Sequence, residues 1–594
     1  MKRTIVLALS LLATASVFAQ DQGSTETKSR QSSGSATRSS SSDMKEMKDA
    51  IAAQQQQIQQ LQQQIQSRDA AIQTLEQRVS QAEAAATQAQ STAKSAIGGE
   101  KKEGALSAEE FSAMQHDVTD LKAASANTVE SLQDTQKRVG DLESPLAIRF
   151  KGVTITPGGF LAAETVWRSH ALTADINTPF NTLPYGAASQ SQMSEFYGSG
   201  RQSRMSWLIQ GKLANVNATG YYESDFLSAG VTSNNNQSNS YTFRQRQLWG
   251  QAAFHDGWTF TGGQMWSLVT ETRKGLDNRT EALTSTIDAQ YHVGFSWARQ
   301  YGFRATKNFS NRAWLGVSVE NAEVLVTAHG NAANYLVGAP GTGGGLYNPT
   351  ANYSWNLSPD YIVKFAFEPK FGGHYEVFGV ASDFRERIFP GATLATPTAA
   401  GAFNNSVWGG GIGANARWML AQKRVELGVH YLGGPGIGRY GTTTLPDLTV
   451  KPNGQLATLH SNQALGTLEF HTKKMDIYSN FGAEFVGRAY YTASTGKPVG
   501  YGSPLFSNAG CETEVLPGGA NGFTPGSLAS CNGDTRNLME ATIGFWYKPY
   551  NGEKGRFQFG PQYSYVIRNT WEGVGGAPNA VENMLFTSFR YYLP

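Results

Sequence analysis

From about Phe150 to the C-terminus, apolar and polar residues alternate with a period of two. That spacing sends successive side chains to opposite faces of a β-strand. Phe557, Phe559, Tyr563, Tyr565 and Ile567 share one face, opposite Arg556, Gln558, Gln562, Ser564 and Arg568. Val425, Leu427, Val429 and Tyr431 likewise oppose Arg424, Glu426 and His430. Clusters of turn residues cut the pattern into strands near 158–168, 203–213, 217–227, 241–254, 257–268, 294–307, 311–322, 360–369, 374–385, 407–420, 423–433, 461–472, 475–491, 537–548, 555–568 and 583–593.

The connections alternate too. Links after the even strands are tight, roughly two to six residues, and include His255-Asp256-Gly257 and Asn551-Gly552. Links after the odd strands run from roughly thirteen to forty-five residues and are rich in Gly, Asn, Ser, Thr and Pro. An even strand number with short and long links in strict alternation puts every long loop on one side and both termini on the other. The predicted fold is an all-β transmembrane barrel of about sixteen antiparallel strands. A β-sandwich would invert the apolar face, which alternation cannot detect, but it gives no reason for the alternating link lengths. The last strand also ends in aromatic residues, Phe589, Tyr591 and Tyr592.

Before the barrel the period changes to seven. Met44, Ile51, Ile58, Ile65, Ile72 and Val79 recur at one heptad position, with Met47, Leu61, Leu75 and Ala82 three residues after members of that series. These are the a and d positions of an α-helical coiled coil, predicted for 44–143. Gly98 and Gly99 break it near 98–104, and Phe111, Met114, Val118, Leu121, Leu132, Val139 and Leu142 resume a second register before Ser144-Pro145 closes it. No soluble core would accept an apolar stripe of this length, so its expected partners are the same helices of sister chains.

Lys2-Arg3, the apolar run Ile5–Ala15 and Val17-Phe18-Ala19 follow the tripartite plan of a secretory signal peptide, predicted over 1–19. Residues 20–43 carry almost nothing apolar to bury and are expected to be a disordered lead. The expected location is therefore the outer membrane, with the coiled coil in the periplasm. No later run reaches the length of a transmembrane helix. A formal net charge of +2 gives no electrostatic case for nucleic acid. The two cysteines, Cys511 and Cys531, lie in one Gly/Pro/Asn-rich stretch and read as a local loop disulfide in an oxidising compartment, although sequence alone leaves two free thiols open.

The chain resembles the DcaP-like trimeric outer-membrane porins, which join a periplasmic coiled coil to a sixteen-stranded barrel. The likeness rests on SRMSWLIQGKL at Ser203–Leu213, TGYYESDF at Thr219–Phe226, FRQRQLWGQ at Phe243–Gln251 and GGQMWSL at Gly262–Leu268. The ending SFRYYLP is similar to the family's Arg-Tyr-Tyr terminus, though its last residue is Pro594 and not Phe. The resemblance implies a homotrimer and a preference for small anionic solutes such as dicarboxylates. The other expected partners are outer-membrane lipid and, through the coil, periplasmic or peptidoglycan components.

A sixteen-stranded barrel leaves an aqueous lumen, so selectivity must come from inward charges and from any loop folded inside. Alternation directs Arg204, Lys212, Arg304, Arg417, Arg424, Arg568 and Arg590 inward, with Glu223, Asp225, Glu320, Glu376, Glu426, Glu469, Glu484 and Glu540. Most of these charges are expected to pair across strands. Arg244 and Arg246 share a face whose neighbours, Phe243 and Trp249, favour the lipid or subunit side. The loop Val269–Val293 occupies the place that folds into the lumen of general porins, and it carries charges of both signs. The candidate basic wall is Arg204, Arg244, Arg246 and Arg304, with Arg273 and Arg279 from the loop. The nine His residues are scattered without a recognisable catalytic motif, and no enzyme activity, cofactor or metal is expected. The competing readings are an envelope tether, supported by the coil, and a phosphate-type anion porin, for which a Lys cluster is missing.

Overall fold

The computed structural model describes residues 147–227, 241–331, 334–340, 352–518, 528 and 530–594. The predicted signal segment, lead and coiled coil, 1–143, lie outside these residues. No helix among the described residues is long and apolar enough to cross a membrane.

Sixteen antiparallel strands close on themselves. They are β1 (Val153–Arg168), β2 (Arg204–Leu213), β3 (Val216–Asp225), β4 (Arg244–Phe254), β5 (Trp258–Trp266), β6 (Arg299–Phe309), β7 (Ala313–Glu320), β8 (Asp360–Phe367), β9 (His374–Ile388), β10 (Phe403–Leu420), β11 (Val425–Pro435), β12 (His460–His471), β13 (Met475–Val486), β14 (Thr535–Gly552), β15 (Gly555–Thr570) and β16 (Asn579–Tyr592). Each pairs with its neighbours in sequence, and β1 closes the barrel on β16 from Phe160↔Tyr592 to Arg168↔Met584. Full closure leaves no unpaired strand edge.

The alternation resolves with its apolar face outward. On β8 exposed and buried residues alternate strictly: Tyr361, Val363, Phe365 and Phe367 face out, while Asp360, Ile362, Lys364 and Ala366 are buried. Exposing such a row to water would be costly, whereas hydrocarbon accepts it. At the tight-turn rim aromatic rings gather outside, with Phe557 stacked on Tyr591 at 4.5 Å and Trp258 on Phe260 at 5.9 Å.

The turns 214–215, 255–257, 310–312, 368–373, 421–424, 472–474 and 553–554 lie at one end, and the long links at the other. Several boundaries differ from the alternation pattern. β1, β10 and β16 begin earlier, so the last long-side link is only 571–578. Residues 294–298 leave the wall with the preceding loop and do not extend β6. Ala489–Thr492 pairs with Pro498–Tyr501 in a separate loop hairpin and does not prolong β13. In each case a short apolar run has the local look of a strand, and only its partner decides which sheet it joins.

Cys511 and Cys531 form a disulfide with a Cα–Cα separation of 4.8 Å. It is no exposed loop tip: Cys511 is fully buried, and its carbonyl accepts the N–H of Ala187 at 2.7 Å. The bond thus belongs to an apolar cluster over the long-loop mouth that includes Ile176, Phe180 and Tyr185.

Candidate functional site: the barrel bore and its constriction loop

The loop 267–298, between β5 and β6, folds into the barrel. Its apolar residues dock on apolar positions of the inner wall. Leu268 and Val269 meet Ile362, Phe378 and Leu432. Tyr291 and Phe295 meet Trp266 and Leu465, while Ile287 and Val293 meet Tyr478, Leu538 and Phe586.

Its backbone has few ladder partners, so its N–H groups need other acceptors. Many bond within the loop, and carboxylates outside it take five more. Glu320 accepts from Leu268 N at 2.9 Å, Glu376 from Thr272 N at 3.0 Å and Glu368 from Gly275 N at 2.7 Å. Glu540 accepts from Val293 N at 2.9 Å and Glu484 from Gly294 N at 2.8 Å. Gln562 takes Ile287 N at 2.5 Å. Gly482 leaves room for this docking, because a Cβ there would collide with the carbonyl of Val293.

Among the inward carboxylates, Glu320, Glu484 and Glu540 anchor the loop instead of pairing across strands, whereas Glu223, Asp225 and Glu426 pair with arginines of neighbouring strands, and Glu376 does both, holding Lys364 at 2.8 Å. Cations assist from the other side: Lys364 Nζ donates to Thr270 O at 2.8 Å, and Arg417 makes two bonds to Glu271. Burial pushes the Asp288 carboxyl up to about 6 and holds the His292 imidazole down to about 4.

Between loop and wall remains a cavity of about 570 Å³. Arg204, Arg246, Arg273, Arg556 and Arg590 line it, against the carboxyls of Glu223, Asp288 and Asp476. Arg590 stacks on Phe160 and Trp546 at 5.0 and 4.8 Å and pairs with Glu164 at 2.7 Å. Arg204 lies over Phe160 at 5.2 Å and 3.7 Å from Glu223. The Nε groups of Arg204 and Arg556 have no hydrogen-bond partner.

The six candidate arginines divide. Arg204, Arg246 and Arg273 meet at this cavity. Arg246 faces inward, as a member of the candidate wall, and Trp249 faces inward too, against its lipid-side assignment. A register shift opposite Glu223/Ser224 inserts one residue, so Arg246 reaches Glu223 at 2.7 Å and Asp225 at 2.8 Å. Trp249 packs inside on Tyr221. Arg244, also on Asp225, lines a separate recess with Arg299 and Arg439 on the long-loop side. Arg279 is exposed on the loop and lies over the Tyr221 ring at 5.0 Å.

Arg304 does not face the bore. It is buried behind the loop, donating to Trp266 O at 2.5 Å and Asn278 at 2.8 Å. Among the other inward predictions, Arg424 sits in an exposed turn and Lys212 at an exposed strand end. Arg568 is taken up by Leu183 O of a long loop and Thr535 at the start of β14.

No protein-family model matches the chain, and no curated protein does. Solved structures similar to it include the outer membrane channel DcaP of Acinetobacter baumannii, 12% identical over 75% of this chain and 99% of that one, with a TM-score of 0.49. An anion-selective porin from Comamonas acidovorans aligns at 10% identity over 74% and 100%, TM-score 0.38. OprB of Pseudomonas putida aligns at 10% over 76% and 96%, TM-score 0.39.

Arg556 and Arg590 complete the cavity although neither was among the candidates. The signal was present for both: Arg556 opposes the apolar face of β15, and alternation already turned Arg590 inward. What sequence lacked was the distance of each from the loop.

Proposed function

We propose that the protein is an outer-membrane porin, a diffusion channel that favours small hydrophilic anions of the dicarboxylate type. The observation that carries this reading is the lining of the constriction, where five guanidinium groups meet three carboxyls. Guanidinium forks match carboxylate geometry and stay charged at any physiological pH. The apolar exterior and the closed ladder suit a lipid surface, and the polar bore suits a hydrated solute. The barrels associate as homotrimers on this reading, and 44–143 form a coiled coil in the periplasm.

Single-channel recording across a KCl gradient tests it. The reversal potential is expected on the anion side, and dicarboxylates are expected to interrupt the chloride current. A cation-selective channel in dilute KCl would overturn the anion preference, and a non-conducting barrel the porin reading itself.

A further inference from the structure

At the tight-turn end of the bore, Glu426 of β11 and Glu469 of β12 are direct cross-strand partners. Like charges in that relation repel, and a sheet tolerates them when a cation lies between. Two arginines already touch Glu426, but both Arg273 and Arg417 reach its Oε1. Oε2 is left turned toward His471, two residues beyond Glu469 on the same face of β12, with its Nε2 at 3.6 Å. Glu469 Oε2 lies 3.5 Å from the same nitrogen. That Nε2 is buried and has no hydrogen-bond partner.

The other ring nitrogen is fixed. Nδ1 of His471 lies 3.1 Å from Asp476 Oδ1, and Lys548 Nζ holds that carboxylate at 2.8 Å. A carboxylate behind a histidine sets the tautomer that presents Nε2 as a lone pair, the support usual for metal-ligating histidines.

We propose that Glu426, Glu469 and His471 bind a divalent transition-metal ion of the Zn²⁺ class, with water completing the shell. The three ligand atoms lie within 4.8 Å of one another. Arms of about 2.0–2.1 Å in a tetrahedron put ligands about 3.3 Å apart, so small rotamer adjustments close the set. One imidazole and two carboxylates suit Zn²⁺, whereas Mg²⁺ and Ca²⁺ prefer shells of oxygen. Sequence spacing hides this site because Glu426 comes from another strand.

Isothermal titration of the purified full-length protein with Zn²⁺ tests the proposal, with heat-modifiable gel mobility confirming that each variant is folded. One ion per chain is expected, unaffected by excess Mg²⁺. His471→Ala, His471→Gln and Glu469→Gln should each weaken binding by more than tenfold, and Asp476→Asn by about tenfold. A flat wild-type isotherm would mean that the arginines and His471 hold the two carboxylates without a metal, and the site falls. Equal binding in the folded His471 and Glu469 variants, or full competition by Mg²⁺, overturns it as well. The readout needs no current, so it stands or fails apart from the porin reading.

Discussion

Glu540 Oε2 on β14 accepts the backbone N–H of Val293 at 2.9 Å, from a loop that leaves the wall after Trp266 and rejoins it at Arg299. Glu484 holds the next residue, Gly294, in the same way. Leaving a buried N–H without its acceptor costs about 1–3 kcal/mol. Glu484→Ala together with Glu540→Ala should therefore free this end of the loop, giving a larger and noisier single-channel conductance. A folded double variant with wild-type current would show that the apolar contacts alone hold the loop.

Selectivity should follow the arginines of the cavity and not every inward arginine. Two unit charges about 4 Å apart interact by about 4 kcal/mol at an effective dielectric near 20, and by about 1 kcal/mol in bulk water. Arg204→Glu with Arg273→Glu should thus move the reversal potential toward cations, most clearly in dilute KCl and less as salt screens the bore. Arg304→Ala should change conductance through the loop it supports while leaving the sign of selectivity unchanged. A shift in the Arg304 variant as large as in the double variant would contradict this division.

Two groups in the loops set a pH dependence of one sign. Burial opposes a charged His329, but the hydrogen bond and charge of Asp534, 2.7 Å away, outweigh it and raise its pKa. That pair contributes fully below the ordinary imidazole value and is lost as pH rises through the raised one. The buried Asp288 carboxyl, pushed up to about 6, binds its proton more tightly in the folded chain. Its contribution is complete near its ordinary value and withdrawn as pH rises through about 6. Hydrogen exchange should show the loop segment around His329 opening more readily at pH 8 than at pH 6. His329→Ala should remove that difference, and persistence of the difference would assign it to another group.

The disulfide should be separable from the channel. Intact mass without reduction should show Cys511 and Cys531 joined. Cys511→Ala with Cys531→Ala should loosen the contact between Cys511 O and Ala187 N over the mouth, seen as faster exchange there. The conductance set by loop 267–298 should be unchanged, and a large change would mean that the mouth governs the current.

Deletion of residues 20–143 should leave a folded, conducting, heat-modifiable trimer. Ile at a and Leu at d of a heptad favour two strands, so three-fold association is assigned to the barrels. Loss of trimers on gels of the deletion variant would transfer that role to the coil.

The sequence by itself determined the strand number, the order of strands and the side of the long loops. Period two and the alternation of link lengths are local properties, and each tight turn forces its two strands to be neighbours. Alternation also separated Arg204 and Arg590 from the apolar face of their strands.

Three features depend on contacts between distant parts of the chain. The apolar face points outward, which alternation cannot encode because inverting it leaves the pattern unchanged. Trp249 joins Arg246 on the inner face because one extra residue opposite Glu223/Ser224 reverses the parity of the strand. Glu320, Glu484 and Glu540 serve the loop and not the solute, because that loop's backbone has few sheet partners and the N–H groups it does not satisfy itself take acceptors from the wall. The same long-range docking places Arg304 behind the loop and Arg273 at the bore. Strand periodicity assigns a residue to a face, and only the fold assigns it a neighbour.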